Sequence, residues 1–373
     1  MPLGDIFITE FGISAAQFSL LVSAYSFAAF FSSLIGVFYL DIFDRKKALL
    51  FIYLGFAIGT FLCSYADSYE WLLCLRIGTG LFGGMISAMV LSIVSDLYLF
   101  KERGKAMGML MGAFSVASAI GVPFALYLAA QGDWQTPFFV LGISCSIVCG
   151  IVAITFPSMT AHLNTIDSDR SFHQTLTAIT NDSNQLNALL AGFVLVLAHF
   201  LIIPFISPYL IKNVGFSQME ITYQFFFGGL ATVISSPLIG RAVDKYGVMK
   251  VLITTMILSF IPTYIITNLS FVPVTVGVMY TTLFFVLATG RMIAPNTIIT
   301  AAASQSNRGS FMSFKSALQQ LAVALSALIS GQIIFINEKT DLYENYDLVG
   351  YFAIVLGIIT LFLVRQIKVA KGN

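Results

Sequence analysis

Four basic residues, Arg76, His199, Arg291 and Lys315, interrupt long apolar runs of this 373-residue chain. Beside them in the same runs stand Tyr25, Tyr223, Gln224, Asn296, Gln319 and Gln320. A charge in hydrocarbon costs several kcal/mol, so each must face a cavity, meet a partner or reach an interface, and an ionisable group there is a functional candidate by default. An imidazole near neutrality can carry a proton, which makes His199 either a proton carrier or a packing histidine. Lys315 and Arg76 lie near the ends of their runs, where a long side chain can snorkel to the interface. No Asp or Glu lies deep in any run. A carboxylate carrier would have to lie elsewhere, and His199 is the other candidate. Nothing forms a catalytic constellation: there is no clustered acid–base set, no P-loop and no glycine-rich phosphate cradle, so neither an enzyme nor an ATP-driven pump is expected. Cys63, Cys74, Cys145 and Cys149 have no accompanying His or Cys cluster, so they read as apolar packing, and neither metal nor cofactor is expected.

The elements that must position these groups are membrane helices. Hydrophobic residues make up 58% of the chain and charged residues 10%, against about 25% charged in soluble domains. A net charge of +1 gives no reason for a nucleic-acid partner. Runs of about 20 apolar residues predict eleven spans: 15–40, 48–66, 71–97, 104–130, 135–156, 186–210, 218–240, 248–268, 271–297, 310–336 and 346–366. The polar stretch from Pro157 to Gln185 predicts a linker between an N-terminal bundle, 1–156, and a C-terminal bundle, 186–373. Glu338 to Asp347 predicts a loop. Alternating loops and the tail carry Arg45, Lys46, Lys47, Lys101, Arg103, Lys105, Arg170, Arg241, Lys245, Lys250, Arg308, Lys315, Arg365, Lys368 and Lys371, whereas the opposite loops carry Lys212 and Lys339. Positive charge stays inside, so the basic loops and the C-terminus face the cytoplasm.

The halves repeat. Gly12, Ser14, Asp41 and Lys47 pair with Gly215, Ser217, Asp244 and Lys250 at an offset of 203, and Arg103, Gly104 and Met107 pair with Arg308, Gly309 and Met312 at 205. Under this repeat the first half lacks its opening helix. Twelve spans are expected, with the missing one encoded upstream of Met1 or lost from the gene.

Loop and helix motifs add a family. VFYLDIFDRKK, from Val37, and GRAVDKYGVMK, from Gly240, resemble motif A of the major facilitator superfamily, roughly G-x-x-x-D-x-x-G-R-K. The second copy keeps Gly240, Asp244 and Gly247 and has Val248 where Arg is usual. The first keeps Asp41, Arg45 and Lys46 and departs at Val37 and Asp44. RIGTGLFGG, from Arg76, is similar to motif B, matching at Arg76 and Gly80. GAFSVASAIGVPFALYL, from Gly112, resembles the antiporter motif C at Gly112 and Gly121, with Gly121-Val122-Pro123 as in sugar- and drug-efflux members. SDLYLFKERGKAMG, from Ser95, is similar to the acidic-to-R-G-x-A-x-G stretch common at this place in the superfamily, and its Asp96 nominates an Asp96–Arg45 pair for the latch.

The resemblance implies an all-α, two-bundle membrane fold of the drug:proton antiporter and sugar-efflux kind. It also implies a monomer in the cell (inner) membrane that moves a small organic solute, drug- or sugar-like, outward against protons. Asp41, Arg45, Lys46, Asp96, Gly240, Asp244 and Gly247 would form the conformational latch. Arg76 and Gly80 would serve coupling, with interfacial snorkelling the other role open to Arg76. Gly112, Gly121 and Pro123 would set helix packing, and Tyr25, His199, Tyr223, Gln224, Arg291, Asn296, Gln319 and Gln320 would line the cavity. The alternative is a non-transporting membrane sensor or a degenerate transporter.

Overall fold

A computed structural model describes residues 2–39, 43–97, 113, 116–160, 181–303 and 308–368. Its helices are α1 (Gly4–Phe11), α2 (Ala15–Tyr39), α3 (Arg45–Cys63), α4 (Tyr69–Leu97), α5 (Val122–Gln131), α6 (Thr136–Thr155), α7 (Ser183–Phe200), α8 (Ile203–Tyr209), α9 (Gln218–Tyr246), α10 (Val248–Thr267), α11 (Val274–Ala301), α12 (Arg308–Ile333) and α13 (Tyr346–Gln366). Among the described residues, nine segments are long and apolar enough to cross a membrane. They coincide with nine of the eleven spans read from sequence. Of the other two, 71–97 is the 29-residue α4. The span 104–130 is described in its second half, where a π turn, Ala117–Gly121, leads into α5.

The repeat is written in the helix caps. Gly12 and Gly215 both take left-handed backbone, φ 59° and 90°, a conformation that only glycine adopts without strain. Two residues on, Ser217 and Glu220 close a capping box on α9. Ser14 and Gln17 do the same for α2: the Gln17 amide nitrogen donates to Ser14 Oγ at 3.2 Å, and the Ser14 amide donates to Gln17 Oε1 at 2.9 Å. Reciprocal caps satisfy backbone donors that the first helical turn leaves unpaired.

The loop expected after α12 carries a small antiparallel hairpin, β1 (Phe335–Ile336) and β2 (Tyr343–Glu344). It forms because Asn213, in the π turn Leu210–Val214 that follows α8, offers both side-chain amide atoms to the Tyr343 backbone, at 2.8 and 2.9 Å. Lys212 pairs with Asp341 at 2.6 Å beside it.

Packing differs between the two ends of the bundle. At the hairpin end one apolar core joins both halves: Phe7, Phe18, Leu72 and Trp134 from the first, Phe205, Phe216, Ile266 and Tyr346 from the second. Phe18 meets Phe205 edge-on at 5.6 Å. At the linker end there are two cores. Leu49, Ile52, Met89 and Ile93 build one within the first half. Leu252, Met256, Ile299 and Phe311 belong to the other, within the second. Leu34 is the first-half residue packed against the latter among the described residues. The halves also touch along two helix crossings, α2 on α12 and the π turn with α5 on α9. Each crossing is closed on a glycine: a Cβ on Gly331 would overlap Ser19, and one on Gly229 would overlap the Ala119 backbone. Small residues are what allow membrane helices to approach this closely.

Candidate functional site

Pro204 breaks the first span of the second half. With no N–H to donate and a ring that clashes one turn back, it ends α7 at Phe200 and restarts the chain as α8. Carbonyls left open in hydrocarbon need partners. Ser330 Oγ donates to the Leu201 carbonyl at 2.6 Å, and Tyr346 Oη adds a second bond, at 3.0 Å, to the Ile202 carbonyl, which already accepts from the Phe205 amide at 3.3 Å. The break is therefore fixed by α12 and α13.

His199 sits immediately before this break. Arg291 on α11 reaches it, with Nη2 at 3.1 Å from His199 Nδ1. A guanidinium only donates, so Nδ1 is the acceptor and the ring is neutral, its proton on Nε2. Phe284, two turns along α11, stacks on the imidazole with ring centres 6.2 Å apart and lies 5.7 Å from the Arg291 guanidinium carbon. Arg291 is 2% exposed, its Nε has no partner, and it makes no ion pair among the described residues. The neighbouring Met292 packs against both the shared core and the second-half core. The pair thus stands where the joined end of the bundle gives way to the divided end.

The other cavity candidates are spread along the same helices. Asn296, below Arg291, donates to the Met292 carbonyl at 2.7 Å and leaves Oδ1 unpaired. Gln224 is fully buried on α9 with both amide atoms unpaired. Gly228, one turn further, abuts Phe285, which puts Gln224 toward the hairpin end and apart from Arg291. Tyr223 next to it is 48% exposed and makes no hydrogen bond among the described residues. Gln319 and Gln320 are half-buried on α12. Lys315 does not lie exposed at an interface as its place in the sequence suggested; its residue is 9% exposed.

Arg76 and Gly80 act on one helix crossing. A Cβ on Gly80 would overlap the Tyr25 carbonyl and stand 2.9 Å from Ala28 Cβ. Glycine therefore lets α4 lie against α2. Ser33 Oγ donates to the Gly84 carbonyl at 3.0 Å along the same seam. One turn before Gly80, the Arg76 guanidinium lies 4.5 Å from the centre of the Tyr25 ring, a cation–π contact. Tyr25 thus serves as the platform for Arg76.

The latch is described in part. Asp41 lies outside the described residues, and so does the side chain of Asp96, which leaves the Asp96–Arg45 pair outside them. Arg45 is buried. Asp44, standing where the resembled motif has glycine, caps α3: its carboxylate accepts from the amides of Lys46 at 2.9 Å and Met159 at 3.0 Å and from Ser158 Oγ at 2.5 Å. These bonds, the Ser158 hydroxyl foremost, hold its pKa below the usual carboxylate range. The equivalent Gly247 has φ 87°. Asp244 is exposed and unpaired among the described residues, and Gly240 has open space around it. Gly112 lies outside the described residues. Gly121 closes the π turn and Pro123 opens α5, so this motif sits where the first half meets α9.

Sequence reasoning missed Phe284, Ser330 and Tyr346. Pro204 announces that carbonyls will be freed, but nothing in the sequence says which hydroxyls return to catch them.

The Major Facilitator Superfamily profile matches residues 1–181 and 188–372. An uncharacterized MFS-type transporter of Bacillus subtilis (strain 168) is 24% identical over 98% of this chain and 91% of its own length. A probable sugar efflux transporter of Helicobacter pylori (strain ATCC 700392 / 26695) is 24% identical over 65% of this chain and 60% of its own length. Among solved structures, a bacterial homologue of the human lysosomal transporter Spinster, inward-facing and occupied, superposes with a TM-score of 0.73 at 17% identity, covering 100% of this chain and 94% of that one. A D-xylose–proton symporter gives 0.74 at 14% identity, covering 100% and 93%. With its helical membrane fold, its paired caps and a match along nearly its whole length, this chain belongs to the major facilitator superfamily and is a multi-pass membrane transporter of small molecules.

Proposed function

We propose that this chain exports a small organic solute, drug- or sugar-like, across the cell membrane in exchange for protons. One observation carries the reading: the halves share a core at the hairpin end and have separate cores at the linker end. With the basic loops inside, the linker end faces the cytoplasm. The state described is then open to the solute to be exported and sealed toward the outside. Rocking of the two bundles about a central site is how transporters with this kind of repeat alternate access.

Outward direction rests on the likeness to the probable sugar efflux transporter and on the Gly-Val-Pro motif at the α5–α9 crossing. Proton exchange rests on His199. A proton on Nδ1 turns the acceptor of the Arg291 bond into a donor, so protonation separates the two side chains. Arg76, on its Tyr25 platform, is the second coupling residue, and the residues around Asp41, Arg45 and Asp244 are the latch. The bundles 1–156 and 186–373 are the moving units, in a monomer.

The test is flux in inside-out vesicles from cells that express the chain, screened against drugs and sugars. The expected result is solute accumulation driven by an acid interior. Accumulation indifferent to the pH gradient ends proton coupling. Arg76→Ala and Asp41→Ala should lower that flux at unchanged expression, and a variant with full flux removes its residue from the coupling or latch role.

A further inference from the structure

We infer that the solute held between the halves, where the shared core ends, carries an oxyanion, such as a carboxylate, sulfonate or phosphate, and that Arg291 grips it. This names the substrate class of the export reading above and rests on it.

Arg291 is 2% exposed, and its only hydrogen-bond partner among the described residues is a neutral imidazole. A buried cation without a counterion is among the costliest arrangements in a folded protein, and removing one partner of a buried pair typically costs several kcal/mol. Among the described residues no carboxylate pairs with it. The spans contributing α2, α7, α8, α11 and α12 contain no Asp or Glu. Two further cations stand in the spans without an ion pair among the described residues: Lys315, 9% exposed on α12, and Arg76, half-buried on α4. Three cations, with acids only near the ends of spans, leave the middle of the bundle short of negative charge.

The donors also point to a ligand. Arg291 Nε is buried and unbonded, and one Nη is committed to His199. The guanidinium fork therefore retains free N–H groups of the kind that bind a planar or tetrahedral oxyanion through two parallel bonds. Phe284 covers the imidazole and lies beside the guanidinium, excluding water and strengthening a charged contact. A neutral sugar would leave the charge uncompensated, and a cationic drug would be repelled. The cargo that fits is anionic and organic, its charged end at Arg291.

The experiment is ligand-dependent thermal stabilisation of the full chain, purified in a zwitterionic detergent. Probes are matched in shape and differ in charge: benzoate with benzamide, and glucose 6-phosphate with glucose. The anionic member of a pair should raise the melting temperature and the neutral member should not. Arg291→Gln should weaken anion binding by about thirtyfold or more, the scale for truncating one side of a buried charged hydrogen bond. Arg291→Lys, which keeps the charge and guards against misfolding of the first variant, should retain part of it. Equal stabilisation by neutral members, no stabilisation by either anion, or anion binding unchanged in Arg291→Gln overturns the inference. Phosphatidylglycerol added to the micelles separates sources: if it displaces the soluble anions through Arg291, the oxyanion is a lipid headgroup and the solute assignment falls. Binding needs no flux, so the two readings fail separately. Anion binding at Arg291 without vesicle transport refutes export alone, and export of a neutral solute by the parent chain, unchanged in Arg291→Gln, refutes this inference alone.

Discussion

Arg291 donates to His199 Nδ1 at 3.1 Å, and this contact ties α11 to the last turn of α7 just before that helix breaks. In the proposed exchange, an imidazole whose Nδ1 accepts from a guanidinium would act as a charge-sensitive joint. Adding a proton to it replaces a hydrogen bond with repulsion between two cations.

His199→Asn should leave solute exchange between the two sides intact while removing its dependence on the pH gradient. Counterflow measured beside gradient-driven uptake in the same vesicles separates the two. Retention of the gradient response would assign the proton to another residue.

Gly80→Ala should destabilise the protein by about 1–3 kcal/mol, the cost of forcing extra volume into a close-packed seam, because the new methyl meets the Tyr25 backbone. Gly78→Ala is the control, with nothing within 4 Å of its added carbon, and should melt like the parent. Thermal unfolding in detergent checks both.

Ser330→Ala removes the side chain that satisfies the Leu201 carbonyl and should cost about 1–3 kcal/mol, the penalty for a buried polar group left alone. Tyr346→Phe removes the second bond to the Ile202 carbonyl, which keeps that of Phe205, and should cost about 1 kcal/mol, the net worth of one hydrogen bond. Hydrogen exchange at residues 201–205 should quicken in both variants relative to α10.

Asp44→Ala should cost about 1 kcal/mol through loss of the α3 cap and should release Met159 from the loop. The pH sign follows from the depressed pKa of Asp44. Its contribution is complete above the ordinary carboxylate range and disappears as pH falls through the lower folded value. Acid melts of parent and variant should therefore converge below about pH 4 and differ at neutrality.

Much of the fold was legible because the bilayer leaves few choices: apolar runs of sufficient length become helices. The repeat was legible from Gly12 and Gly215 because left-handed backbone demands glycine, and the charged loops fixed its register. Membership of the superfamily followed from the Arg76–Gly80 spacing and the two basic loops, each reporting a close approach or a charged turn that few residues can supply. The central site was legible as a set of residue types and not as an arrangement. His199 and Arg291 are far apart in sequence, and no local pattern announces that α7 and α11 bring them together. Gln224 and Lys315 show the converse. Their burial depends on which helix face meets a neighbour, and uniformly apolar membrane helices carry little periodicity to reveal it. Asp44 read as a departure from a motif, whereas in the structure it is a cap with a second partner across the loop.

If the two bundles rock as proposed, they form a lever whose fulcrum lies off-centre. The shared core and the Gly331–Ser19 contact sit at one end of helices about 35–40 Å long, so slack of a fraction of an ångström there would become a displacement many times larger at the linker end. A single methyl at Gly331 would be a shim under that lever, resetting how far the opposite mouth can travel.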